Sequence, residues 1–136
     1  MKFPFQPGGG SIPVQARIIG PAGPSRFMLL LDTGSDGTTV APNYLIAAGY
    51  DPAHFPPPVP VTTAGGVIHA PRVLVTAFEA LGAFRMNYPV LVHPMPTPLG
   101  VAGVLGLDFF EGHVLTIDFA NDEITLTPGS PAGLTP

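Results

Sequence analysis

Leu29-Leu30-Leu31-Asp32-Thr33-Gly34-Ser35 is the stretch that decides how this chain is read. Phe27 to Leu31 are all apolar, and the run from Arg26 to Leu31 has the length of a strand rather than a helix. A continuous apolar run of this kind predicts a strand buried on both faces. It delivers Asp32 directly from an apolar segment into a turn. A carboxylate in such a place needs a pairing partner, a hydrogen bond or a proton, because burying it alone costs several kcal/mol. The plain alternative is a turn aspartate that closes a strand, since Asp and Gly are common turn residues.

Upstream, Ile12 to Ile19 reads as a strand with Val14, Ala16 and Ile18 on one face, and Gly20-Pro21-Ala22-Gly23-Pro24 as the turn into the apolar run. Gly8 to Ser11 reads as a flexible lead-in. Downstream, Thr38 to Val40 is a short strand. Pro42 to Ala48 is a short helix, with Pro42 in its first turn and Gly49 just past its end. Pro56 to Pro60 reads as loop, and Val61 to Ala70 as a hairpin around Ala64-Gly65-Gly66. Val73 to Phe78 and Phe84 to Val92 are strands joined near Leu81-Gly82, with Phe84, Met86, Tyr88 and Val90 read as one core-facing row. Pro94 to Pro98 is a connector. Val104 to Phe110 runs from a buried strand end into a short helix. Val114 to Phe119 and Glu123 to Thr127 form a hairpin with Asn121-Asp122 at its tip. The tail from Pro128 is expected to fray. Many short strands between turn signals predict an all-β barrel with one short C-terminal helix.

Composition supports this reading. The 136 residues fit one domain over 1–136, with its core at about 12–127 and flexible ends. With 46% hydrophobic and 10% charged residues the chain can build a core, yet has few charges to cover its surface, so a partner chain is expected to hide apolar area. The net charge is −4, and Lys2, Arg17, Arg26, Arg72 and Arg85 form no run or stripe, which argues against nucleic acid as a partner. Cysteine is absent, which excludes disulfides and thiolate metal sites. His54, His69, His93 and His113 have no ligand-like spacing, so neither a metal nor another cofactor is expected. Asp118, Asp122 and Glu123 read as turn and edge charges, and Asp108 as a residue that caps or holds the short helix. No apolar run is long enough to span a bilayer, and Phe3-Pro4-Phe5-Gln6-Pro7 is no signal-peptide core, so a cytoplasmic location is the expectation. An anchor on a longer parent protein would leave no trace in this stretch.

Asp32-Thr33-Gly34, the glycine hairpin, and Val104-Leu105-Gly106 followed by Leu107-Asp108-Phe109-Phe110 occur in one order. That order resembles the retropepsin-like aspartic proteases, particularly the bacterial single-domain members, over about Val14 to Leu126. The resemblance implies a retropepsin-like barrel and an aspartic endopeptidase working as a homodimer on peptide or protein substrates. At the matching positions it implies that Asp32 is the catalytic carboxylate. Thr33 would lock two active-site loops across a two-fold axis, and Gly34 would let backbone approach the site. Ser35 would donate its hydroxyl to the outer oxygen of Asp32. Asp36 and Gly37 would border the substrate, Gly65 and Gly66 would tip a flap, and Val104 would contact substrate while packing with Leu105 and Gly106 behind the loop. Two departures stand out. Gly37 follows Asp36 where retroviral enzymes have a second acid. Leu107 stands where they have an arginine, so Asp36 must find another partner or face solvent.

The chemistry fits a pair. A single chain offers one Asp-Thr-Gly, whereas amide hydrolysis by this route needs one carboxylate as base and another as acid. A symmetric dimer with the site on its axis supplies both. Two other readings compete: a non-catalytic dimeric peptide-binding module on the same fold, and a monomeric β-barrel binding protein.

Overall fold

The structure is a computed structural model that describes residues 1–63, 65–96 and 100–129. Eleven strands and two short α-helices follow in the order β1 (Lys2–Pro4), β2 (Pro13–Gly20), β3 (Gly23–Leu31), β4 (Thr39–Val40), α1 (Pro42–Ala47), β5 (Val59–Thr63), β6 (Gly66–Ala70), β7 (Arg72–Ala80), β8 (Ala83–Val92), β9 (Gly103–Leu105), α2 (Leu107–Phe110), β10 (His113–Asp118) and β11 (Glu123–Pro128), with a 3₁₀ turn at Pro52–His54. Six of the strands close a barrel in the order β2-β3-β9-β4-β8-β7, β7 returning to β2. The closed all-β barrel expected from the sequence is the observed architecture.

Two crossings decide where the site lies. β3 pairs in parallel with β9, Leu31 against Leu105, and β9 pairs antiparallel with β4, Thr39 against Val104. The short β9 is thus wedged between the strand that enters the Asp32 turn and the strand that leaves it. The closeness of this wedge explains Gly103, where a Cβ would collide with the Thr39 carbonyl. Inside the barrel, alternate residues of β2 and β3 (Val14, Ala16, Ile18; Phe27, Leu29) meet Val40, Val75, Val90 and Leu105 in a single core. Phe78, Tyr88 and Phe109 close one side of it, with Phe78 lying 4.8 Å from Tyr88 and 5.5 Å from Phe109 between ring centroids.

α1 begins at Pro42, and Gly49 follows its end with φ +95°, as its sequence predicts. A Cβ on Gly49 would lie 2.6 Å from the Ala22 backbone nitrogen, so this glycine serves close packing as well as the turn. Just beyond, the Tyr50 hydroxyl accepts the Thr76 N–H at 2.8 Å and directs its own proton toward Thr76 Oγ1 (3.3 Å) and the Ile19 carbonyl (3.5 Å). Tyr50 thereby ties the helix exit to β2 and β7. Tyr50→Phe is expected to lower unfolding free energy by about 1 kcal/mol, read as a shift of the urea midpoint at constant slope. An unchanged midpoint would mean that water replaces the hydroxyl fully.

Several expectations need correction. The run Arg26–Leu31 is not buried on both faces. Phe27 and Leu29 point inward, Met28 is 39% exposed and Leu30 and Leu31 are half-buried, because a barrel wall has one inside. Phe84, Met86, Tyr88 and Val90 do not share the core. Tyr88 and Val90 do face it, but Phe84 and Met86 are 46% and 61% exposed. Asn87 between the two pairs has φ +49°, and at that residue the strand turns its face over, so Arg85 rather than Met86 lies against the Phe109 ring. Pro56–Pro60 is not all loop, since Val59 and Pro60 belong to β5, with Pro60 opposite His69. Among the described residues β5 has β6 as its only neighbour, so a proline there removes no ladder bond on its free side. Finally, β1 lies ahead of the expected core. It pairs with β11, Phe3 opposite Ile124, and Phe3 packs on the core.

The two hairpins expected around Leu81-Gly82 and Asn121-Asp122 form, with positive φ at Leu81, Gly82 and Asp122. In the second turn Asp118 accepts the Ala120 and Asn121 N–H groups and the Asn121 side chain, and these bonds hold its carboxyl below the usual carboxylate range. Of the connector expected at Pro94 to Pro98, residues 94–96 carry no regular structure and the rest lies outside the described residues. In the tail, Pro128 ends β11 and Gly129 donates to the Gly112 carbonyl at 2.8 Å, while 130–136 lie outside them. No helix among the described residues is long and apolar enough to cross a membrane.

Candidate active site

β3 ends at Leu31, and the chain turns through Asp32 to Gly37 before entering β4. Three backbone bonds seat this turn on the end of β9 and the segment after it. Asp32 N–H donates to the Leu105 carbonyl (3.0 Å), Leu107 N–H to the Ser35 carbonyl (2.8 Å) and Asp108 N–H to the Asp36 carbonyl (3.1 Å). The two motifs of the sequence are therefore one structural unit. Gly106 is the point of closest approach: a Cβ there would fall on the Gly37 carbonyl.

Within the turn, Asp32 is half-buried and its Oδ1 accepts the Gly34 N–H at 3.0 Å. A Cβ on Gly34 would stand 3.2 Å from that oxygen, so glycine lets the backbone close on the carboxylate. Among the described residues no side chain of this chain donates to Asp32 or forms an ion pair with it. Asp32 is itself partly exposed, and Thr33, Gly34 and Asp36 beside it are exposed. Burial of an unpaired carboxylate, the problem posed by the sequence, is thus met by partial exposure and one backbone donor.

Ser35 departs from expectation. Its hydroxyl donates to the Gly37 carbonyl at 2.9 Å rather than to Asp32. The turn curls back on itself, which brings the carbonyl two residues on within reach of the hydroxyl. Asp36 has no ion-pair partner among the described residues and faces solvent. Gly37 packs under Leu91, where a Cβ would stand 3.2 Å from Leu91 Cδ1. Gly65 and Gly66 lie at the exposed turn of the β5–β6 hairpin, Gly66 with φ +122°; Ala64, read with them, lies outside the described residues. Val104 is half-buried in β9, between Leu30 and Thr39.

A layer behind the turn was only partly visible in the sequence. Thr38 is 1% exposed, and its Oγ1 accepts the Gly106 N–H at 3.1 Å. Asp108 Oδ1 lies 2.9 Å from Thr38 Oγ1 and 2.8 Å from the Tyr88 hydroxyl, and those two hydroxyls are 2.9 Å apart. Asp108 does hold the region together, but Gly106 is the residue at the N-terminal cap of α2 and no side chain caps it. The Phe109 carbonyl, near the helix end, takes a 2.7 Å bond from Arg85. Thr38 and Tyr88 were missed as supports; no local signal marks either, since Thr38 stands beside a second threonine and Tyr88 lies within β8.

Residues 14–109 match the family model described as aspartyl protease. No curated protein matches the chain. Among solved structures the chain is similar to a retropepsin-like aspartic protease from Rickettsia conorii, with a TM-score of 0.67 and 15% identity over 93% of this chain and 91% of that one. At that identity the likeness is one of fold.

Proposed function

The chain belongs to the aspartyl protease family, and from that premise we propose that it is an endopeptidase whose active site is completed when two copies bring their Asp32 turns together. One observation carries this reading: Asp32 is held by the backbone of its own chain, is partly exposed beside the exposed Thr33 and Gly34, and has no acid–base partner among the described residues. Half of a dyad is what a single copy supplies.

Across a two-fold axis the partner's Asp32 turn would face this one, with the exposed Thr33 and Gly34 at the contact. Two carboxylates roughly 3 Å apart share a single proton, because both cannot ionise at that distance. The ionised member takes a proton from a water molecule as its oxygen attacks the peptide carbonyl carbon. The protonated member gives its proton to the carbonyl oxygen. As the tetrahedral intermediate collapses and its C–N bond breaks, the carboxyl that took the water's proton gives it to the amine nitrogen, and the other carboxylate takes the proton of one hydroxyl, which restores the shared-proton pair. The β5–β6 hairpin with Gly65 and Gly66 at its turn would close over the peptide as a flap, lending backbone donors and excluding water. Asp36, Gly37 and Val104 would border the peptide. The metal-free acid–base pair asks for no cofactor.

The test is the dependence of initial rate on protein concentration, with a mixed peptide library as substrate and sedimentation on the same samples. The rate is expected to rise with the square of concentration where monomer dominates and linearly once the dimer is saturated. Cleavage strictly proportional to a sedimenting monomer would overturn the shared dyad. No cleavage at concentrations where the protein is dimeric would favour a peptide-binding module instead.

A further inference from the structure

We infer that Thr38, Tyr88 and Asp108 form a positioning unit that fixes where the Asp32 turn stands, an inference that rests on the protease reading above for its catalytic consequence.

The argument begins with bond counting. Thr38 has one hydroxyl proton and two lone pairs, and Tyr88 also has one proton to give. Asp108 Oδ1 is within hydrogen-bond distance of both hydroxyls, and a carboxylate oxygen has room for two donors. Thr38 Oγ1 meanwhile accepts from Gly106 N–H. Every buried side-chain oxygen and nitrogen among the described residues has a partner. For Tyr88 to donate to Asp108 Oδ1 it must retain its own proton. Burial, the largest influence on Tyr88, pushes its titration upward and keeps the phenol neutral.

The second step is connectivity. Thr38 lies at the exit of the turn, one residue before β4. Asp108 belongs to α2, and its own N–H grips the Asp36 carbonyl. Tyr88 stands on β8 in the barrel wall, its ring packed on Phe78 and Phe109. The carboxylate therefore joins turn, helix and wall at one atom. With Asp108 pinned from behind, the N–H groups of Leu107 and Asp108 hold the Ser35 and Asp36 carbonyls at a fixed height. A dyad shared across a symmetry axis is sensitive to that height, since a displacement in one copy is repeated in the other.

Thr38→Val keeps the shape and removes the hydroxyl, Thr38→Ser restores it, and Tyr88→Phe removes one donor while leaving the ring. In folded dimeric protein, kcat is expected to fall roughly 10²-fold in Thr38→Val and roughly tenfold in Tyr88→Phe, with KM changed less than about twofold. Thr38→Ser should return to within about threefold of the parent. Independently of catalysis, amide exchange at Leu107 and Asp108 should quicken about tenfold relative to the β7–β8 amides in Thr38→Val. Exchange that quickens evenly over the barrel, or a kcat per folded site equal to the parent's, would reduce the unit to ordinary core support and overturn the inference. Should the parent cleave no peptide, the protease reading fails while the exchange measurement still decides whether the unit holds the turn. If Thr38→Val does not fold, Tyr88→Phe carries both measurements.

Discussion

Asp32→Asn is expected to fold and pair like the parent and to cleave peptides about 10⁴-fold more slowly. Asparagine keeps the size and the oxygen that accepts the Gly34 N–H, so the turn and its three seats on the 105–108 segment survive. What disappears is proton transfer. An amide has neither the basicity to activate water nor a proton to share, and because the substitution enters both copies, base and acid are lost together. General acid–base contributions of 10² to 10⁴ set the scale. A sharper form of the experiment mixes equal amounts of parent and variant and allows subunits to exchange. If both carboxylates of a dimer are needed, random pairing leaves about a quarter of the parent's activity per mole of total protein, whereas independent subunits would leave about half. An observed half would overturn the shared site even if the pure variant were dead.

Gly106→Ala is expected to be among the most damaging single methyl additions to the described residues, alongside Gly103→Ala at the start of β9. The backbone of Gly106 has φ −97° and ψ −179°, which alanine adopts freely, so conformational preference is not the obstacle. The obstacle is space. The added Cβ would lie on the Gly37 carbonyl and 2.8 Å from the Ser35 carbonyl oxygen. Neither oxygen belongs to a side chain that can swing away. Relief requires the turn to lift from β9, at the expense of the Asp32–Leu105 and Leu107–Ser35 bonds. Overpacking commonly costs 1 to 3 kcal/mol, and a clash between two backbones should cost at least about 3 kcal/mol. Gly66→Ala is the control. At Gly66 nothing lies within 4 Å of the new methyl, and the loss reflects φ +122° alone, about 1 to 3 kcal/mol. Chemical denaturation of both variants checks the ranking; a Gly106→Ala loss below the Gly66→Ala loss would show that β9 and the turn separate easily.

The parts of the fold that could be read from the sequence are those fixed by local chemistry. The apolar run into Asp32-Thr33-Gly34, the Leu81-Gly82 and Asn121-Asp122 turns and the Pro42/Gly49 bounds of α1 all depend on residues within a few positions of each other. The parts that could not be read depend on distant partners. Thr38 meets Tyr88 fifty positions later and Asp108 seventy positions later, and no spacing rule links three such residues. Ser35 has two acceptors within reach of a short turn, and only the curl of the backbone chooses Gly37. Phe84 and Met86 follow the alternation of Tyr88 and Val90, so pattern alone assigns them to the core. The left-handed residue Asn87 breaks that equivalence, and asparagine is a residue that tolerates the conformation. β1 was hidden because Lys2-Phe3-Pro4 is too short to show a period, and its existence depends on β11 being available as a template.

The wedge of β9 between β3 and β4 also governs when the active site comes into being. Leu29 to Leu31 must wait for Gly103 to Leu105 before either side of the barrel wall is complete, and the Asp32 turn has no seat until Leu107 and Asp108 follow. Contacts so far apart in sequence close slowly, since the loop entropy is lost before the pairing returns it. On the ribosome, where the chain emerges from its N-terminus, Asp32 leaves the exit tunnel long before the segment that shapes it. On the function proposed above, a growing chain would be catalytically silent, with activity postponed until nearly all of the barrel has been made.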